Sequence, residues 1–205
     1  MVLGLILANF ADQAQVYFRT RGAVAARVAM GYQRATEVML INRLGAAIYF
    51  LAVSIYVETS GTPDTLMGLI TVALVFVVIG NLGMMHKLVQ DFGLKDLARV
   101  VETEKPVLAA SVVATLFGLA GLTLPYLAGI YIPAFRLTLS NAAFILNSIF
   151  TLLIVLVVDK RIAVYIDEEN EALPSLAIAV IAFKTCAIAL YALIFLFLNR
   201  QLINV

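Results

Sequence analysis

The stretch LPSLAIAVIAFKTCAIALYALIFLFL, residues 173–198, decides the fold class because almost every side chain in it is apolar. About 20 consecutive apolar residues in a helix cross the hydrocarbon core of a bilayer, which is about 30 Å thick. Pro174 stands at the start of the run, where a helix tolerates the missing N–H, and Lys184 is the only charged residue in it. The stretch therefore predicts a transmembrane helix.

The composition of the whole chain agrees with a membrane protein. Hydrophobic residues make up 63% of the 205 residues and charged residues 13%, whereas soluble domains average about 45–50% and about 25%. A chain of this length cannot bury such a surplus in its own core. The net charge of +1 gives no reason to expect nucleic-acid binding. The single Cys186 and the single His86 exclude an internal disulfide and a cysteine or histidine metal cluster, and no cofactor is expected.

Six apolar runs predict an all-α polytopic bundle that forms a single transmembrane domain. The alternating pattern of a membrane β-barrel does not occur in the sequence. The predicted spans cover residues 1–18, 28–57, 66–85, 106–127, 139–158 and 173–198. Two sets of three helices would run in opposite directions through the membrane, as in transporters with an inverted 3+3 repeat.

The Lys and Arg residues of the connections predict the orientation in the membrane. The first, third and fifth connections are rich in them, the second has none, and the fourth has only Arg136. Because basic connections stay in the cytoplasm, we expect both termini on the outer side. Within the third connection, residues 86–105 carry apolar side chains at near-helical spacing, which predicts a cytoplasmic interfacial helix.

The second predicted span carries charges that a bilayer does not accept without compensation. Arg27, Arg34, Glu37, Asn42 and Arg43 follow one another along it, and a charge near the bilayer centre costs at least ~2.5 kcal/mol unless it faces a cavity or a partner. One interpretation is a track for an anionic lipid headgroup, since guanidinium groups bind phosphate oxygens in pairs, with an Arg34–Glu37 ion pair beside it. The other is a helix that begins later and leaves Arg27 and Arg34 in a cytoplasmic segment.

Further polar residues in the predicted spans have both a functional and a structural interpretation. Lys184 is too deep to reach water easily, so it either pairs with Asp12 or Glu37 or takes part in coupling. Asn147 either contacts a substrate or joins helices by a hydrogen bond. Arg136 either binds a headgroup on the outer side or anchors its helix at the interface.

Two segments carry a resemblance to a known family. Residues 17–58 contain YFRTRGAVAARVAMG, then INRLGAAI and YVE, and residues 133–167 contain PAFRLTLS, then NSIFTLLIVLVVD. These segments resemble the Amj family of lipid II flippases, the small alternates to MurJ in bacterial cell-wall synthesis. The matching positions are Asp12, Arg19, Gly22, Arg27, Arg43, Glu58, Pro133, Phe135, Arg136, Thr138, Asn147, Thr151, Asp159 and Asp167.

The resemblance implies that the protein moves lipid II from the inner to the outer leaflet of the bacterial plasma membrane. Lipid II is a disaccharide-pentapeptide on undecaprenyl diphosphate, and a homodimer is compatible with so large a headgroup. The substrate-binding residues would be Arg19, Arg27, Arg34, Asn42, Arg43, Arg136 and Asn147. The residues for ion pairing or coupling would be Asp12, Glu37, Asp159 and Lys184.

Three other interpretations stay open at the level of sequence. The first is a flippase for another polyprenyl-linked lipid or a phospholipid. The second is a membrane scaffold whose charges pair internally or with a partner. The third is an enzyme of lipid metabolism, for which the acidic run at 167–171 is the one candidate site. Because no Walker A loop, H-E-x-x-H or G-x-S-x-G motif occurs, we do not expect an enzyme.

Overall fold

The computed structural model describes residues 1–59 and 61–203, except for the side chains of residues 137, 140 and 199–203. The helices are α1 (Val2–Val24), α2 (Val28–Glu58), α3 (Pro63–Phe92), α4 (Leu97–Thr103), α5 (Lys105–Tyr131), α6 (Arg136–Leu153), α7 (Lys160–Asp167) and α8 (Leu173–Ile203). A 3-10 turn, Pro133–Phe135, precedes α6, and a π-helical segment, Ile154–Asp159, joins α6 to α7 without a break.

Five helical runs are long and apolar enough to cross a membrane. They are α2, α3, α5, the continuous run through α6 and α7, and α8. This result confirms the prediction of an all-α membrane helix bundle. The fifth predicted span was too short, because the helix continues through the π-helical segment to Asp167.

The first predicted span is a helix, but α1 is not one of these five runs. It continues to Val24 rather than ending at residue 18, and Asp12, Gln13 and Arg19 lower its apolarity. The polar side chains face the interior, since α1 packs against α2, α3 and α8. A helix surrounded by other helices does not need a fully apolar surface.

The prediction of one interfacial helix over residues 86–105 was wrong in its boundaries. Helix α3 runs past the expected end to Phe92, and Gly93 then takes a positive φ of 77°. Only the short helix α4 belongs to the connection. Glycine adopts this left-handed backbone without the steric cost of a Cβ atom, so the chain turns there.

The two halves of the chain share one packing plan. Helix α1 packs along α2 and also on α3, while α5 packs along α6 and also on α8. The third helices of the two halves, α3 and α8, pack against each other in the centre. The inverted 3+3 repeat itself stays a prediction.

The interior has two apolar clusters with a polar layer between them. One cluster includes Leu88, Val158 and Leu176, and the other includes Leu66 and Phe195. On α1, α3 and α8 the chain passes from one cluster to the other through a buried polar residue, namely Gln13, Asn81 and Lys184.

The helix ends define the two faces of the bundle. We call the end at which α1 ends and α2 begins the basic end, because Arg21 and Arg27 lie there. Towards the opposite end, the Tyr49 hydroxyl donates a hydrogen bond of 2.6 Å to the carbonyl of Leu122 and so joins α2 to α5. The ring of Tyr126 packs beside Tyr49 at this junction.

Candidate functional site

A cavity of about 550 Å³ lies between the helix pair α1–α2 and the helix pair α5–α6. Both pairs are tightly packed internally, and the cavity occupies the space between them. Its polar lining residues are Asn9, Asp12, Gln13, Gln15, Arg19, Asn42, Arg43, Thr115, Asn147, Thr151 and Asp159.

Two arginines and two aspartates set the charge of the cavity. Arg19 forms an ion pair with Asp159, with 2.8 Å between Nη1 and Oδ1. Asp12 forms another with Lys184, which lies behind the cavity wall. Arg43 has no carboxylate within 4.0 Å among the described residues. Among the described residues, Arg43 is therefore the lining arginine that forms no ion pair.

Lys184 lies in the polar layer, and Asp12 is its hydrogen-bond acceptor among the described residues. Its Nζ donates to Asp12 Oδ2 at 2.7 Å, and the side chain is 1% exposed. Of the two partners expected for Lys184, the structure shows Asp12 and not Glu37. A buried ammonium needs such a partner because its desolvation is costly. The pair therefore connects α8 to α1 at Asp12, which lines the cavity.

The Arg19–Asp159 pair spans the cavity at its basic end. Arg19 belongs to α1, and Asp159 is the last residue of the π-helical segment after α6. Helix α1 makes no extended contact with α6 or with this segment in the described ranges. The ion pair therefore joins α1 to the π-helical segment across the cavity. π-Helical turns in α-helices are frequent at functional sites.

We infer that the cavity opens between α2 and α6. These helices are not packed along each other over the residues described, although both contribute side chains to the lining. Phe50 on α2 and Phe144 on α6 lie in this wall, and Phe144 is 70% exposed. In a bilayer, this gap would face the lipid.

Several predicted site residues meet in the cavity. These are Asp12, Arg19, Asn42, Arg43, Asn147 and Asp159. The Nδ2 of Asn42 donates to the carbonyl of Ala8 at 2.6 Å, so Asn42 also joins α2 to α1. Asn147 lines the cavity, and its carbonyl accepts a hydrogen bond from Thr151.

Other predicted site residues lie elsewhere. Arg27 and Arg34 line a separate, smaller pocket at the basic end. Glu37 does not pair with Arg34 as expected but accepts a hydrogen bond from Gln33 at 3.1 Å. Arg136 donates from Nε to the carbonyl of Gly129 at 2.9 Å, so it holds the last turn of α5. The continuous track along α2 was therefore a wrong prediction.

Sequence reasoning missed polar groups of the cavity that carry no charge. Gln13, Gln15 and Thr115 line it, and the Oε1 atom of Gln13 is buried without a hydrogen-bond partner among the described residues. The sequence did contain a signal for the two glutamines, since amides inside an otherwise apolar span usually face a cavity or another helix. The acidic run at 167–171 lines neither described pocket and is mostly exposed at the turn before α8.

The chain matches no protein-family model, no curated protein and no solved structure. The likeness to the Amj family therefore depends on the ordered residues quoted above.

Proposed function

We propose that the protein moves a lipid with an anionic, phosphate-bearing headgroup across the membrane. The observation that carries the proposal is Arg43, an exposed arginine on a membrane-spanning helix that lines the cavity and has no carboxylate within 4.0 Å among the described residues. A charge in this position is costly unless a ligand or water compensates it. A phosphate group supplies the missing negative charge and accepts two parallel hydrogen bonds from one guanidinium.

The shape of the cavity supports a lipid rather than a soluble ion. The gap between α2 and α6 allows the hydrocarbon tail to stay in the bilayer while the headgroup reaches the polar lining. A volume of about 550 Å³ accommodates a diphosphate with its first sugar, by comparison with pockets of about 300–1,000 Å³ for drug-sized ligands. The rest of a large headgroup would extend beyond the cavity, and a homodimer would offer it more polar surface.

The closures of the cavity suggest how the headgroup is passed on. Towards the opposite end, Tyr49 and Leu122 join α2 to α5 by a buried hydrogen bond. At the basic end, the link is the ion pair of Arg19 and Asp159, which a phosphate group would disrupt by competing with Asp159 for Arg19. We expect the headgroup to enter the cavity at the basic end, because its phosphate has only to replace the Asp159 carboxylate beside Arg19.

The cargo that we propose is lipid II, on the strength of the resemblance to the Amj family. The same geometry suits another polyprenyl-linked lipid, because the cavity recognises the phosphate and leaves the tail outside. The location would be the bacterial plasma membrane, with the basic end in the cytoplasm and both termini outside. That orientation places the loading side where lipid-linked precursors carry their newly made headgroups.

A scaffold function has less support from the geometry. A scaffold of this kind would have the charges of α1, α2 and α6 paired internally around a closed interior. Two ion pairs are present, but the cavity is open and Arg43 has no carboxylate partner among the described residues. Transport explains both of these features.

The test is complementation in bacteria depleted of their native lipid II flippases. We expect the wild-type chain to restore growth and the appearance of lipid II at the outer leaflet, and Arg43→Ala to lose both. Arg99→Ala is the matched control, because Arg99 is an exposed residue on α4 outside the cavity. A well-inserted wild-type protein that restores neither growth nor lipid II export would exclude lipid II as the cargo.

A further inference from the structure

The corner between α1 and α2 contains a second basic pocket. It has a volume of about 200 Å³, and three exposed arginines line it, namely Arg21, Arg27 and Arg34. Phe18 and Met30 give it an apolar wall. The pocket lies at the basic end, where the helices leave the apolar core of the bundle.

The described residues supply no carboxylate to this pocket. No carboxylate lines it, and Arg27 and Arg34 make no ion pair within 4.0 Å with any residue the structure describes. The nearest acid along α2, Glu37, is hydrogen-bonded to Gln33. Three arginines around one small pocket give it a positive potential, which favours an anionic ligand.

Two features fix the shape of the corner. Gly22 and Gly31 touch backbone to backbone, because a Cβ atom built on Gly22 would lie 2.4 Å from the Cα atom of Gly31. Arg21 is held from one side, since its Nη1 donates to the Tyr17 hydroxyl at 3.1 Å. The backbone of the corner and the Arg21 side chain are therefore held in place, which reduces the entropy that these parts lose when a ligand binds.

The pocket is separate from the central cavity. The two share no lining residue. Arg34 and Arg43 are about 14 Å apart along the axis of α2 at 1.5 Å per residue, and about half a turn apart around it. A ligand in the corner pocket would therefore leave Arg43 free for the cargo.

We propose that the corner pocket binds the phosphate group of an anionic phospholipid from the surrounding leaflet. Basic pockets between transmembrane helices bind such headgroups, and guanidinium groups pair with phosphate oxygens through parallel hydrogen bonds. The volume suits a phosphate with its glycerol, and the apolar wall of Phe18 and Met30 suits the start of the acyl chains. This site holds a resident lipid and does not depend on the transport proposed above.

The experiment measures lipid retained by the purified full-length protein in native mass spectrometry. The protein is titrated with phosphatidylglycerol and, in parallel, with phosphatidylcholine, which carries a phosphate but no net charge. We expect wild-type protein to retain phosphatidylglycerol at least tenfold more strongly than phosphatidylcholine. The double variant R27Q/R34Q should lose this preference. The matched control K87Q/K95Q removes the same charge from exposed residues outside the pocket and should stay within twofold of wild type.

Three results would overturn the proposal. Equal losses in the pocket variant and the control would mean that the basic end attracts lipid through its overall charge alone. Retention of phosphatidylglycerol by R27Q/R34Q at the wild-type level would remove the pocket as the site. Displacement of the lipid by an equal concentration of inorganic phosphate would assign the pocket to the free ion. If the double variant does not fold, Arg34→Gln alone is compared with Lys87→Gln.

Discussion

The ammonium group of Lys184 lies 2.7 Å from the carboxylate of Asp12, in the layer that separates the two apolar clusters of the bundle. The pair joins α8 to α1, and Asp12 also lines the central cavity. One carboxylate thus contacts a buried cation on one side and a polar cavity on the other. The first prediction concerns the stability that depends on this contact.

Replacing Lys184 by Met should destabilise the protein by about 3–5 kcal/mol, because it leaves the Asp12 side chain, which is only 18% exposed, without its partner. The measurement is the fraction of protein that stays monodisperse after heating in detergent. Asp12→Asn should cost a similar amount, since it leaves a buried ammonium group with no carboxylate.

The double variant of Asp12→Asn with Lys184→Met is the internal control for this prediction. Removing both charges should recover much of the loss, because neither residue then leaves an unpaired buried charge. If the effects of the two single substitutions simply add in the double variant, the ion pair does not account for the destabilisation.

Arg43 should be the main determinant of headgroup affinity. Removing one charge-assisted phosphate contact of about 1.5–3 kcal/mol should weaken binding by about 10- to 100-fold. The measurement is calorimetric binding of farnesyl diphosphate, a short prenyl diphosphate, to wild type, Arg43→Ala and Arg43→Lys. Lysine keeps the charge but not the two parallel donors, so Arg43→Lys should fall between the other two. Unchanged binding in Arg43→Ala would show that the phosphate does not contact this residue.

Asp159 should compete with the cargo for Arg19. Because Asp159 occupies the guanidinium at 2.8 Å, Asp159→Asn should tighten the binding of farnesyl diphosphate by about tenfold, or ~1.4 kcal/mol. Asp167→Asn is the control, since it removes the same charge from an exposed residue outside the cavity. Weaker binding in Asp159→Asn would mean that the carboxylate positions Arg19 for the phosphate rather than competing with it.

The fold was largely predictable from the sequence, because the hydrocarbon core of the bilayer sets the length and the apolarity of each membrane-spanning helix. The same reasoning located Lys184 as a buried cation and gave Asp12 as one of two candidate partners, since a charge at that depth requires one. The arrangement around the cavity was less accessible. Arg19 and Asp159 belong to helices far apart in the chain, and no periodicity within either helix reveals their contact.

The failure of the predicted arginine track has a simple geometric cause. Arg27 and Arg34 are about two turns apart and share a face of α2, whereas Arg43 is about two and a half turns beyond Arg34 and points the opposite way. The helix period therefore separates the second span into two basic sites. The contact between Glu104 and Arg161 was also not predicted from the sequence, because Glu104 lies between α4 and α5 and Arg161 lies in α7, beyond the predicted end of the fifth span, where hydropathy does not predict packing.

Glu104 should make the basic end sensitive to acid. The carboxylate accepts hydrogen bonds from Arg161 Nε at 2.9 Å and from the Tyr165 hydroxyl at 2.9 Å, and the hydrogen bond from Arg161 holds the pKa of Glu104 below its usual 4.5. A carboxyl whose pKa is lower in the folded than in the unfolded state stabilises the fold at pH values above its unfolded pKa. For Glu104 this contribution is lost as the pH falls below about 4.5.

The measurement for Glu104 is thermal stability between pH 7 and pH 3 for wild type and Glu104→Gln. The substitution should lower stability at pH 7, and the difference between the two proteins should shrink towards pH 3. Glu102→Gln, at an exposed position on α4, is the matched control and should follow the wild-type curve. A difference that is constant over the whole pH range would assign the effect to lost packing instead of the charge.

The backbone contact between Gly22 and Gly31 should make the α1–α2 corner intolerant of even one methyl group. A Cβ atom at Gly22 meets backbone atoms at 2.4 and 2.9 Å, and backbone cannot move aside as a flexible side chain would. Gly22→Ala should therefore separate the two helices and destabilise the protein. Gly83→Ala is the control, because it is also helical and a Cβ atom there meets nothing within 4 Å. Alanine in an open helical position gains about 0.5–1 kcal/mol over glycine, so Gly83→Ala should be neutral or slightly stabilising in the same heating assay. Equal stability of the two variants would show that the corner adapts to the methyl group and is not rigid.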